Sequence, residues 1–372
     1  SSRFTEWDGF VGEGIIDIPE LVSASALSTY LHCPYSYFLG RILNVGSIEE
    51  DDRSWGIDRL ARGMIVHEIL ERYYEPANLQ VGSQNPDTSP SANAAPGSGD
   101  LAFGTQTVGL IGDDRSSDDL HAIVDLVMDK YRDTFSDLPE ILWKFESKSI
   151  FAIVSEYIRW DSVRRAESRS ITKGVEVTFG YQTGIEGRQW LLGDVQLGGV
   201  RFRGRIDRID QLEDGRIEVI DYKTGSRPPV RAKPEEVLVG GRLVQMGVYA
   251  KALGAGTKDL TVTGSLHFLP DMSSSRDFNG SNDALGDAER LIEGISVSIR
   301  EGLFPMFPGP YVSDASRRSS RATPSQRLPV LRSGTFENCR HCPFDSVCPT
   351  NRSRRWAELS ANDRLKGLSE LL

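Results

Sequence analysis

Asp207, Asp221 and Lys223 fall within one short stretch, GRIDRIDQLEDGRIEVIDYKTG, residues 204–225. Brought together, such side chains could hold a hard divalent cation and set a positive charge beside it, the equipment for attack by water on a phosphodiester. Whether they meet depends on the strands that carry them. Phe202, Ile206 and Ile209 mark one strand, and the β-branched Ile217, Val219 and Ile220 a second. Glu213-Asp214-Gly215 fits a three-residue hairpin loop with Gly215 in the left-handed position. That loop sets Leu212 opposite Arg216 and, counting back, Asp207 opposite Asp221, with Cβ atoms about 5 Å apart on one face. Alternation turns Lys223 to the face of Asp221 and Tyr222 to the other.

Like charges directly opposite destabilise a sheet, so the aspartate pair calls for a compensating cation. A solvated hairpin with a surface Lys-Asp pair is the other reading of the same residues. On the tripeptide alone the solvated reading is preferred, since an isolated D-x-K is common.

The bulk of the sequence limits the setting. With 372 residues and 39% hydrophobic content the chain suffices for one large or two ordinary domains. No apolar run is long enough to cross a bilayer and no secretory leader is found, so a cytoplasmic protein away from membranes is expected. The net charge of −10 argues against non-specific avidity for nucleic acid but permits a local basic channel. Arg201, Arg203, Arg205 and Arg208 surround Asp207, and further clusters fall at Arg227, Arg231, Lys233 and Arg242, at Arg317, Arg318 and Arg321, and at Arg352, Arg354 and Arg355. Their closeness to the carboxylates favours phosphate contacts.

Along the chain, residues 22–43 predict an aromatic-rich helix pair. ARGMIVHEILERYYE follows, with Ile65, Val66, Ile69, Leu70 and Tyr73 in one apolar stripe and His67 and Glu71 left together at i, i+4. Residues 77–118, rich in Ser, Pro, Gly and Asn, read as a flexible insertion. Two long helices are predicted next, then several strands over 175–223, a helix in RLVQMGVYAKALG, a strand in TVTGSLHFLP and a helix in DAERLIEGISVSIREGLF. The expected division is an N-terminal helical segment (1–76), the insertion (77–118), a core (119–304) and a C-terminal segment (305–372). No internal repeat is evident, and no G-x-x-x-x-G-K-S/T loop that would make the chain an ATP motor.

The chain holds four cysteines. Cys33 stands near the start, and Cys339, Cys342 and Cys348 form C-x-x-C-x-x-x-x-x-C near the end, three of the four being followed by proline. Two disulfides, a four-cysteine zinc site and an iron-sulfur cluster are the options, and disulfides fit a cytoplasmic setting poorly. His32 and His341 lie beside these cysteines as possible substitutes in a zinc site. A single centre holding all four would close a loop of roughly three hundred residues, worth roughly 5 kcal/mol by loop entropy.

Taken in order, GMIVHEILE, GRID, VIDYKTG, QMGVY and the one-plus-three cysteines resemble the RecB/AddB-type nuclease domains of the PD-(D/E)XK superfamily, in their iron-sulfur-containing branch. The resemblance implies an α/β fold, a small mixed sheet flanked by helices with a restriction-endonuclease-like core, and an iron-sulfur staple joining the N- and C-terminal segments. It implies that His67 joins Asp207 and Asp221 as ligands of Mg2+ or Mn2+, with the Tyr222 carbonyl a further oxygen donor, and that Lys223 is the catalytic lysine. Gln245 and Tyr249 would match the Q-x-x-x-Y element near the scissile strand. Cys33, Cys339, Cys342 and Cys348 would hold a [4Fe-4S] cluster in preference to zinc. Two departures stand out: the signature Pro-Asp is written Gly-Arg-Ile-Asp, and Asp221 replaces the more usual Glu before Lys223.

The function so implied is metal-dependent hydrolysis of DNA, single-stranded or with free ends, by an exonuclease coupled to a helicase partner or fused motor domain in double-strand-break repair and recombination. Two alternatives are a non-catalytic DNA-binding or scaffolding subunit of a helicase complex, and a CRISPR-adaptation-type nuclease, which is typically shorter.

Overall fold

The computed structural model describes residues 4–46, 56–75, 115–181, 191–225, 241–255, 260–312, 335–339 and 342–372. Among them, α1 (Ala24–His32) and the one-turn α2 (Pro34–Tyr37) precede three longer helices, α3 (Arg59–Tyr74), α4 (Ser117–Arg132) and α5 (Glu140–Ser168). The strands β1 (Ile171–Phe179), β2 (Leu191–Leu192), β3 (Val195–Leu197), β4 (Val200–Phe202), β5 (Gly204–Gln211) and β6 (Ile217–Lys223) come next. Then follow α6 (Arg242–Ala252), β7 (Val262–Phe268), β8 (Ser273–Phe278), α7 (Asn282–Arg300), the short β9 (Tyr311–Val312) and β10 (Thr335–Phe336), α8 (Arg352–Ser360) and α9 (Lys366–Leu371).

The hairpin of β5 and β6 forms where its turn residues place it. Gly215 is left-handed at φ +84°, and the Leu212 N–H donates to the Arg216 carbonyl at 2.9 Å. Around this hairpin runs a mixed sheet in the order β1-β5-β6-β7-β8, extended by two-residue β2 at its β1 edge. Pairing is antiparallel except between β6 and β7 and between β1 and β2. The parallel step from β6 to β7 demands a crossover, and α6 lies in that connection.

Helices cover both faces of the sheet. On one side α1, α6 and α7 close over Leu27, Tyr30, Phe202, Val219, Val244 and Ile292. On the other, α3, α4 and α5 close over Ile65, Ile69, Val127, Ile150, Val154 and Ile220. Full burial of each such side chain contributes about 1.5–3 kcal/mol. The predicted stripe of α3 is buried at Ile65, Val66, Ile69, Leu70 and Tyr73, and Asp58 starts the helix by accepting the Leu60 and Ala61 N–H groups at 2.9 Å each.

Two local details differ from the sequence reading. Ser116 and Asp119 form a capping box that starts α4 at Ser117, inside the segment read as an insertion, whose remainder to residue 114 lies outside the described residues. Strand β8 and helices α8 and α9 carry no pattern that predicts them; α9 packs on α7, with Leu368 buried.

A further departure concerns the arginines around Asp207. Arg208 is fully buried, so it contacts no phosphate; it donates to Asp161 Oδ2 at 2.7 Å and to both Asp210 oxygens at 2.7 and 2.5 Å. Arg164 of α5 bridges Asp161, Asp210 and Glu218 at 2.9, 2.9 and 2.8 Å. Burial alone would raise the Asp161 carboxyl, but Arg208 and Arg164 hold it well below the usual range. This ion network fastens α5 to β5 and β6 directly behind the hairpin. The clusters at 227–233 and 317–321 lie outside the described residues.

Candidate metal centre and cleft

The ladder between β5 and β6 pairs Arg208 with Ile220, and its next step sets Asp207 opposite Asp221. On the other side of β5, Val175 pairs with Arg208 and Val177 with Ile206, which sets Glu176 opposite Asp207. Three carboxylates thus stand in a row across β1, β5 and β6, all buried. Glu176 takes this place with a left-handed backbone, φ +50°. For a residue with a Cβ this is strained by an amount of order 1 kcal/mol, a cost that clusters at functional sites.

From the helical layer, α3 brings His67 to the row. Its Nδ1 lies 3.5 Å from Asp207 Oδ2 and its Nε2 3.2 Å from the Tyr222 carbonyl. The Tyr222 N–H donates to Asp207 Oδ2 at 2.9 Å, while the ring turns to the α3–α5 side and packs edge-on against His67 and Tyr157. Lys223 forms an ion pair with Asp221 Oδ2, and Gln245 of α6 donates to Asp221 Oδ1 at 2.6 Å and to the Tyr249 hydroxyl at 2.9 Å. Gly247 makes this approach of α6 possible: a Cβ there would lie 2.5 Å from the Ala288 Cβ of α7. Of the predicted set, His67, Asp207 and the Tyr222 carbonyl meet on the α3 side, while Asp221 is joined to Lys223 and Gln245, and Gln245 to Tyr249.

Glu176 was missed by the sequence reading. The available signal is a lone carboxylate between two valines in the strand GVEVTF. One donor atom each from His67, Glu176 and Asp207 lies within 4.8 Å of the other two. Octahedral coordination at bonds of about 2.1 Å separates ligand atoms by roughly 3 to 4.2 Å, so an imidazole and two carboxylates so placed fit Mg2+ or Mn2+.

The electrostatics show what a cation would relieve. Burial, then the charge of Asp207, pushes Glu176 up to about 7, and the same two causes raise Asp221. Burial works against a charged His67, but Asp207 outweighs it and, with Asp221 and Glu176, raises the imidazole to about 9. Asp207 is held below the usual range because His67 overcomes its burial. Without a metal, protons balance the carboxylates.

Glu176, at the β1 end of the row, and His67 line a cleft of about 720 Å³ together with Arg59, Met64, Lys130 and Arg205. Glu68, also on its wall, accepts from Arg72 and from Lys130, both at 2.9 Å. Glu68 is thereby engaged by cations away from the row.

A second cluster lies at the chain's two ends. All four cysteines are free thiols. His32 and Asn338, the residues just before Cys33 and Cys339, face each other: the Asn338 side-chain amide donates to the His32 carbonyl at 2.6 Å, and His32 Nε2 lies 3.2 Å from the Asn338 carbonyl. The Phe307 N–H donates to Cys33 Sγ at 3.4 Å. Arg352 clasps the loop between Cys342 and Cys348 through the Asp345 and Pro349 carbonyls at 2.8 and 3.0 Å. Burial, with Cys33 as the strongest neighbouring thiol, pushes Cys348 up to about 12. His341 lies outside the described residues.

A mixed sheet that presents a row of carboxylates with a lysine and a histidine defines a metal-binding α/β domain. The sequence matches the PD-(D/E)XK nuclease superfamily over residues 21–349, and the chain belongs to that superfamily, whose members are metal-dependent nucleases. No curated protein matches the sequence. Among solved structures, the crystal structure of SSO0001 is similar over 60% of this chain and 80% of that chain, at 14% identity and a TM-score of 0.27. Among the described residues no helix is long and apolar enough to cross a membrane.

Proposed function

We propose that this protein is a Mg2+- or Mn2+-dependent deoxyribonuclease that shortens DNA strands from their ends. It serves as the nuclease module of a helicase-nuclease, of RecB/AddB type, in double-strand-break repair and recombination. The observation that carries this reading is the row Glu176, Asp207 and Asp221 with His67 at one side and Lys223 at the other.

His67, Asp207 and Asp221 hold the cation, with Glu176 and the Tyr222 carbonyl beside them. When bound, it supplies the positive charge that activates water and stabilises the developing charge on phosphorus. The chain's own residues do the rest. Lys223, partly exposed, places its ammonium where charge grows on the attacked phosphate. Gln245, tied to Tyr249, holds Asp221 through its Oδ1 while Lys223 pairs with its Oδ2. The buried wall of α5 behind β5 and β6 keeps the row rigid.

The meeting of Cys33 with the C-terminal trio supports a [4Fe-4S] cluster as a structural staple between the two ends of the domain. Burial raises Cys33, Cys339 and Cys348, and a bound metal would hold them as thiolates.

The test is cleavage of end-labelled single-stranded and duplex DNA with Mg2+, with Mn2+ and with chelator, native protein against Lys223→Ala. Metal-dependent shortening that the substitution abolishes establishes the hairpin as the active site. An intact native protein that binds DNA and never cuts it would make this a strand-guiding subunit instead.

A further inference from the structure

Among the arginines around Asp207, Arg208 is engaged in buried ion pairs and Arg201 with the exposed Glu20 and Asp194. Arg205 does something different. It stands two residues before Asp207 on β5 and so projects from the same face. Its Nε makes an ion pair with Glu176 Oε2, yet its side chain is 46% exposed where that of Glu176 is 4% exposed, and it lines the cleft. A guanidinium is a planar fork of N–H donors suited to phosphate oxygens, and one nitrogen on Glu176 leaves the rest of the fork on the cleft wall.

A permanent cation beside metal ligands works against holding a divalent ion, because the two positive charges repel at short range. That arrangement is favourable once an anion sits between them. We propose that Arg205 is a catalytic residue that donates to a non-bridging oxygen of the scissile phosphodiester, held between the guanidinium and the metal row. This rests on the nuclease reading of the same site. No proton or electron is transferred by Arg205; it binds charge that grows on the phosphate oxygens as water adds and the leaving oxygen departs with its electron pair.

The experiment compares the native full chain with Arg205→Ala and Arg205→Lys in three measurements. These are calorimetric binding of Ca2+, binding of a fluorescent single-stranded oligonucleotide in Ca2+ across a salt series, and cleavage at saturating Mg2+. In Arg205→Ala, cation affinity is expected to stay level or tighten several-fold. Oligonucleotide affinity should fall at least tenfold, with the slope of log affinity against log salt reduced by about 0.7, as for the loss of one phosphate contact on a single strand. Cleavage should drop at least a hundredfold, and Arg205→Lys should fall between. Cation binding weakened tenfold, with cleavage restored by excess Mg2+, would reduce Arg205 to a counter-ion of Glu176 and overturn the proposal; so would an unchanged oligonucleotide affinity and salt slope. A native protein that binds the oligonucleotide through Arg205 but never cuts would sink the nuclease reading and leave the phosphate contact standing. One that neither binds nor cuts would sink both.

Discussion

Glu176 faces Asp207 across the β1–β5 register with its own backbone in the left-handed region, so a strained residue completes the carboxylate row. Substitution should therefore separate stability from function. Glu176→Gly relieves the left-handed strain and removes a buried carboxylate, so the metal-free protein should gain about 1 kcal/mol while divalent affinity falls at least tenfold. Urea unfolding in chelator and calorimetric titration of Mg2+ check the two halves. A loss of stability in chelator would show that Glu176 is held there for packing.

Metal affinity should rise with pH. Glu176 and His67 have folded values of about 7 and about 9, both above the ordinary 4.5 and 6.5. Their contribution to the metal-free fold is complete below the ordinary values and is lost as pH climbs through the folded ones. A cation takes the place of those protons. Between pH 7 and 9, with His67 still protonated, Mg2+ affinity should climb about tenfold per unit and then level off. Titrations at pH 6, 7, 8 and 9 measure it; a flat profile would place the cation away from His67.

Arg208→Met should leave Asp161 buried with Arg164 and Arg165, and Asp210 buried with Arg164, to neutralise them. Breaking such a buried network from one side costs about 3–5 kcal/mol. Urea midpoints should fall accordingly, and cleavage by the fraction still folded should remain within a few-fold of native.

Gly247→Ala places a methyl group against Ala288 and should cost about 1–3 kcal/mol as α6 and α7 are forced apart. Turnover should fall as well, because Gln245 moves with α6. Adding Ala288→Gly should restore both. Recovery of stability without recovery of turnover would argue that Gln245 does not act through its bond to Asp221.

Chelation or oxidative loss of the proposed cluster, or Cys33→Ser, should loosen the link between the two ends and lower the unfolding free energy by up to about 5 kcal/mol. Iron and sulfide content, measured alongside the melting temperature, should fall together with it. Zinc found in place of iron would replace the cluster with a four-cysteine zinc site.

Local features are legible in the residues alone. Gly215, the acidic turn and the period-2 alternation fix the hairpin, and with it the facing of Asp207 and Asp221, because turn chemistry and strand pleat act over a few residues. The stripe of α3 was legible for the same reason, at a period of 3.6. The family order of motifs carried His67, Gln245 and Tyr249, which no local signal marks. Which distant groups meet is set by the packing of the elements. Glu176 enters the row through a left-handed backbone and the register of a strand that precedes β5, and neither is written in its flanking valines. Arg205 and Arg208 look alike in GRIDR, yet one lines the cleft and the other is buried against Asp161 of α5. A charge in a sequence carries no address, because its partner is chosen by the packing of elements far away along the chain.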